Sequence, residues 1–190
     1  MNIFYLAYSP KSCAQQQFDS HVVKMTLETA QMLSTAHRVL DGTPVQVGKK
    51  TLLVLPSEEI IHDEIVNPKV YKTTHVNHPC SVWIRQSTEN YAWAYQLMIE
   101  LDLERQFRYK TPQSKTITNH GDFLKQFPKN LKVEKMSTPP QAMDVQYQHA
   151  DVIQAYRQCY VYAKSHLAKW TNRSKPRWYP LELVKCQPEI

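Results

Sequence analysis

Glycine is scarce in this chain: three residues in 190. That scarcity excludes a Gly-rich phosphate loop, and neither a G-x-G-x-x-G nor a Walker signature is present. Cysteine is sparse as well. Cys13, Cys80, Cys159 and Cys186 are widely spread and form no C-x-x-C pair, so neither a disulfide scaffold nor a zinc ribbon is expected. Cys80 and Cys159 sit in helical patterns and read as small core residues. No run of about 18 apolar residues occurs, so no membrane span is expected. The opening Met1-Asn2-Ile3-Phe4-Tyr5-Leu6 lacks the basic region and long apolar run of a signal peptide, and the expected location is intracellular.

What the chain does have is positive charge, aromatic residues and helical periodicity. The net charge of +6 favours polyanionic partners such as DNA, RNA or nucleotides. Eleven tyrosines and four tryptophans, several beside basic residues as in Lys169-Trp170 and Arg177-Trp178-Tyr179, suit base stacking next to phosphate contacts, or simply a buried aromatic core. The fold expected is mainly α: one domain over residues 1–190, with three principal helices around one core. Residues 43–72 and 111–148 form loop-rich insertions, the first holding a minor β-hairpin or irregular excursion.

The first helical region runs from Ser9-Pro10 to about Leu40, stopped by Asp41-Gly42, with a possible break near Phe18-Asp19-Ser20. The second starts at Asn77-His78-Pro79 and reaches about Tyr109, with Ser87-Thr88 able to divide it. A short helix is expected at 122–127, and a last one over about Ala150–Trp170, where Arg157 and Lys164 share a face.

One stripe on the first long helix carries the chemistry. His21, Lys24, Glu28, Gln31 and Thr35 are spaced three, four, three and four apart, which stacks them on one face. The opposite stripe, Phe18, Val22, Met25, Met32 and Ala36, is apolar and reads as the core side. The polar face is either a site or a solvated surface with i,i+4 charge pairs. His37-Arg38 can complement the helix dipole or extend the stripe towards an anion. His75 and His78 lack further ligands at zinc spacing apart from Cys80, so no metal site and no cofactor are expected. His78, Arg85 and Asn77 can instead gather a phosphate at a helix N-terminus, or His78 can simply cap it.

The order of these residues resembles the phage pyrimidine-dimer DNA glycosylases, small helical proteins that excise UV-damaged bases. Their first helix carries a His and, seven residues later, a catalytic Glu; His21 and Glu28 have that separation, with His37 and Arg38 near the helix end. Asn77-His78-Pro79 then leads into a long aromatic and charged stretch with Trp83, Arg85, Tyr91, Trp93 and Tyr95, and Lys175-Pro176-Arg177-Trp178-Tyr179 resembles the family's Trp-Tyr-rich tail. The chain is similar too to proteins of large DNA phages, which would place it in a host cytoplasm. The resemblance implies a hydrolase acting at an N-glycosidic bond, with Glu28 catalytic and His21 and Gln31 orienting substrate. Lys24, Arg38 and Arg85 would hold phosphate, with Thr35, His37 and His78 beside them. Trp83 or Trp178 would fill the gap left by a nucleotide flipped out of the stack.

This chain departs from the family twice. Leu27 and Gln31 stand where the family carries arginines around its glutamate. The family's nucleophile is the α-amine of a small second residue, exposed by removal of the initiator Met; here the second residue is Asn2, too bulky for that removal. A retained Met1 is expected to crowd the sugar and prevent a covalent adduct. The alternatives are therefore a non-catalytic nucleotide or nucleic-acid binder on the same scaffold, a phage enzyme modifying a free nucleotide, or a structural protein.

Overall fold

A computed structural model describes residues 1–180 with the exception of Ser57. Cys186 lies outside the described residues. Among the described residues the fold is mainly helical, with six α-helices and two small antiparallel hairpins. No helix among the described residues is long and apolar enough to cross a membrane.

The chain breaks fall where local chemistry demands them. Ser9 caps α1 (Pro10–Gln16) by accepting from Ser12 N–H, and Pro10 occupies the first turn, where its missing donor costs nothing. α2 (Asp19–Asp41) follows after a two-residue break. His78 and Ser87 cap α3 (Pro79–Ile84) and α4 (Thr88–Tyr109), so the second helical region is two helices divided at Ser87. α2 and α4 make the most extensive helix–helix contact. The apolar stripe Phe18, Val22, Met25, Met32 and Ala36 is buried in that core.

Residues 43–66 form two hairpins rather than one. β1 (Thr43–Val47) pairs with β2 (Lys50–Val54) across Gly48-Lys49, where Gly48 supplies φ +56°. β3 (Glu59–Ile61) pairs with β4 (Glu64–Val66) across His62-Asp63, both at positive φ, as a two-residue turn with right-handed strand twist requires.

Two expected helices differ. The one expected at 122–127 is α5 (Lys115–Leu124), because Ser114 caps it by accepting from Ile117 N–H. The last helix does not run to Trp170. α6 (Val152–Gln158) widens into a π-helical turn at Cys159–Ala163, breaks at Lys164 and ends in a 3₁₀ turn, Ser165–Leu167. Of the core stripe that helical periodicity predicts there, Ile153, Tyr156, Tyr160, Ala163, Leu167 and Trp170, the first three are buried and the last three only half-buried.

Candidate functional site

The N-terminal segment lies across the start of α2 and is tied down over its whole length. The Asn2 side chain donates to Ala142 O (2.8 Å) and accepts from Phe4 N–H (3.0 Å). The Cys13 thiol donates to Phe4 O (2.9 Å), and Gln17 Nε2 donates to Ile3 O. These anchors hold buried Phe4 at φ +44°, a conformation costly for a residue with a Cβ. The strained residue stacks its ring on His21, with centroids 4.2 Å apart.

The segment brings the α-amine of Met1 to 3.6 Å from Glu28 Oε2, while Lys24 Nζ lies 3.1 Å from Glu28 Oε1. The Met1 side chain is 4% exposed although the residue as a whole is half-buried. The methionine side chain therefore packs against the core, and what remains accessible is main chain, which carries the amine. The crowding expected from a retained Met1 is removed: its bulk points away from the accessible side.

Met1, Asn2, Phe4, His21, Lys24 and Glu28 line a half-open cavity of about 570 Å³, closed on its far side by Ala142–Asp144, Tyr147, Cys159 and Lys164. That size lies within the range of small-ligand sites. The π turn matters here, since it puts Cys159 and Ala163 at the cavity wall while Tyr160 points inward. Such turns recur at functional sites because they re-aim side chains within a helix.

His21 has a defined state. Burial, and then the charges of Lys164, Lys24 and His166, push its pKa down to about 4, so it is neutral at pH 7. Its Nδ1 lies 2.6 Å from the Tyr160 hydroxyl. Tyr160 is fully buried, and burial raises its phenol far above the ordinary range, so the phenol keeps its proton. A phenol that keeps its proton can donate it to His21 Nδ1. In that tautomer the imidazole proton sits on Nε2. That nitrogen has no hydrogen-bond partner among the described residues and is not sealed from solvent, so it is a neutral donor available to the cavity. His78 lies near enough to the Met1 amine and Glu28 to feel both. Burial lowers its pKa, the amine and His75 lower it further, and Glu28 opposes them.

Of the residues expected from the sequence, the structure thus gathers His21, Lys24 and Glu28, with His78 close by. The others are elsewhere. Arg38 is fully buried and all five of its N–H groups are used, by Glu58 (2.9 and 3.0 Å) and by the carbonyls of Tyr71, Leu53 and Val70. It has no donor left for a phosphate. His37 is buried against Tyr91 and Phe123, its Nε2 2.9 Å from the Tyr91 hydroxyl. Thr35 is buried and bonds the backbone of Gln31 and Thr74, and half-buried Gln31 is not part of the cavity wall.

Trp83 is 3% exposed and donates to Ser137 O, a core role that leaves it nothing to insert between bases. Trp178 packs on Tyr160 and Tyr179, donates to Gln16 Oε1 and lies under Arg157, outside the cavity. His78 accepts from Cys80 N–H and caps α3, a helix of only six residues, while Arg85 turns back to Val76 O (2.6 Å).

Sequence reasoning missed Phe4, Tyr160, Lys164 and the 142–147 strap. Lys164 left a trace there as a cation on the face of Arg157, Tyr160 as a member of the last helix's core stripe, and Phe4 within the apolar segment Ile3–Tyr8 expected to pack inward. No group of three or more His, Cys, Asp or Glu among the described residues can hold a metal ion. Compared with known protein families, curated proteins and solved structures, the chain gives no match, so its site rests on its own geometry.

Proposed function

We propose that this protein is a glycosylase-like enzyme acting at an N-glycosidic bond of a nucleic acid or nucleotide, with Glu28 as its catalytic carboxylate. The observation that carries the reading is the Met1 α-amine 3.6 Å from Glu28 in the wall of a ligand-sized cavity. When unprotonated, this amine is a nucleophile beside a carboxylate. Its lone pair forms a C–N bond at the anomeric carbon as the sugar–base bond breaks, and the base leaves with that electron pair and takes up a proton. Glu28 stabilises the positive charge that develops on the sugar. The His21 Nε2–H orients the sugar or base as a neutral donor. Lys24 and Lys164 at the cavity wall attract the neighbouring phosphate.

The test is borohydride trapping on a duplex containing an abasic site, with peptide mapping of the product, beside a single-turnover assay of base release on a UV-damaged duplex. The expected result is an adduct on the N-terminal peptide that is lost when one glycine is added ahead of Met1. Base release without an adduct would retain Glu28 but assign the attack to water. Binding with neither outcome overturns the catalytic reading and leaves the non-catalytic binder.

A further inference from the structure

On another face of the molecule, the C-terminal ends of α2 and α3 meet the extended segment 130–137 around a second cavity of about 510 Å³. Arg85, Lys132 and Lys135 line it, with Gln86 offering an amide and Glu134 the one carboxylate in the wall. Its frame is fixed by hydrogen bonds. Thr88 N–H donates to Lys132 O, Ser137 N–H to Asn90 Oδ1, and Asn130 Nδ2 to Leu40 O. Two other acids bond this segment and are already committed: Asp41 accepts the backbone N–H groups of Lys129 and Asn130, and Glu89 accepts that of Met136.

Two half-buried arginines lack a carboxylate among the described residues: Arg157, which lies over the Trp178 ring, and Arg85. Among those residues Arg85 makes a single hydrogen bond, to Val76 O. Arg38, Arg108 and Arg173 each have a carboxylate. Removing a guanidinium from water without a counter-charge is costly, and the cost is offset when an anion binds. Lys132 and Lys135, also without ion pairs among the described residues, put two more cations on the same wall.

We infer that this cavity is a second binding site, separate from the Met1–Glu28 cavity, and that it takes a phosphoryl group, which Arg85 grips while Lys132 and Lys135 neutralise it. A planar guanidinium with free donors suits phosphate, and ammonium groups add charge without fixed geometry. Two sources supply that chemistry, a free nucleotide and a phosphate of a nucleic-acid strand.

The experiment is calorimetric titration of the full chain with inorganic pyrophosphate, then with ADP and with a short single-stranded oligonucleotide. Saturable pyrophosphate binding is expected, weakened roughly tenfold or more by Arg85→Gln. Arg85 also braces Val76, so thermal unfolding of each variant is followed in parallel. The double variant Lys132→Gln/Lys135→Gln lies on an exposed segment and must weaken binding by roughly threefold or more, while Glu134→Gln strengthens it. Glu28→Gln should leave pyrophosphate binding unchanged, which separates this site from the proposed catalytic one. Equal affinity for ADP and the oligonucleotide identifies a free phosphate ligand. A roughly tenfold preference for the oligonucleotide, with the salt slope reduced by about one in Arg85→Gln, identifies a strand. Either result upholds the site. No saturable pyrophosphate binding, or binding indifferent to the two lysines, overturns it.

Discussion

The two ends of α2 each hold a carboxylate beside cations, and they are built in opposite ways. At the C-terminal end Glu58 and Arg38 are both 0% exposed at their side chains, the guanidinium is saturated, and Glu58 also accepts from Leu55 and Lys69 N–H. Burial pushes the Glu58 carboxyl up, but the Arg38 hydrogen bonds and those two amides outweigh it and hold its pKa low. This pair buckles the hairpins onto the helix. At the N-terminal end, Glu28 accepts no backbone N–H among the described residues. It has one exposed lysine at 3.1 Å and one amine at 3.6 Å, longer than a hydrogen bond. A closed pair holds the fold together, whereas an open one leaves acceptor positions and an amine for a ligand.

The comparison is broken most severely by Arg38→Met. It strands a buried carboxylate and should cost about 3–5 kcal/mol in urea unfolding, with at least half recovered in Arg38→Met/Glu58→Met. Recovery of nothing would mean that the buckle acts through more than charge. At the open end, Glu28→Gln should leave stability within about 0.5 kcal/mol of the parent. It should lower any base release by ~10²–10⁴-fold in single-turnover assays; unchanged release removes Glu28 from the chemistry.

Acid sharpens the contrast further. Burial depresses both His21 and His37 to about 4, below their ordinary 6.5. Between those values the unfolded chain binds more protons than the folded one. The contribution is therefore whole above about pH 6.5 and is lost as pH falls towards 4, on the order of 2–3 kcal/mol for each ring. Thermal unfolding followed from pH 7 to 4 should show a falling midpoint, and the fall should lessen in His37→Asn. A midpoint flat over that range would contradict the buried neutral state of both rings. The smallest effect is expected from Lys24→Gln, since its ammonium is 69% exposed: under about 0.5 kcal/mol in stability, and a salt slope for nucleic-acid binding reduced by about one. A larger loss of stability would make the open end a structural pair after all.

The caps of α1, α3 and α4 were legible along the chain, because Ser9-Pro10, His78-Pro79 and Ser87 act on donors two or three residues away, whereas α2 begins after Phe18 with no side-chain cap, not at a capping Asp19 or Ser20. Periodicity likewise separated the buried stripe of α2 from the stripe bearing His21, Lys24 and Glu28. It could not tell which parts of the polar stripe face a cavity. Arg38 and Thr35 were consumed by Glu58, Tyr71 and Thr74, residues 20 to 39 positions away whose approach no local pattern encodes. Local spacing thus determined the helices and the row of polar groups on one of them. Tertiary structure alone decided that the Met1 amine comes to 3.6 Å from Glu28 and that the Tyr160 hydroxyl meets His21 Nδ1. The second contact spans 139 residues, and long-range packing brings such groups together without leaving a period in the sequence.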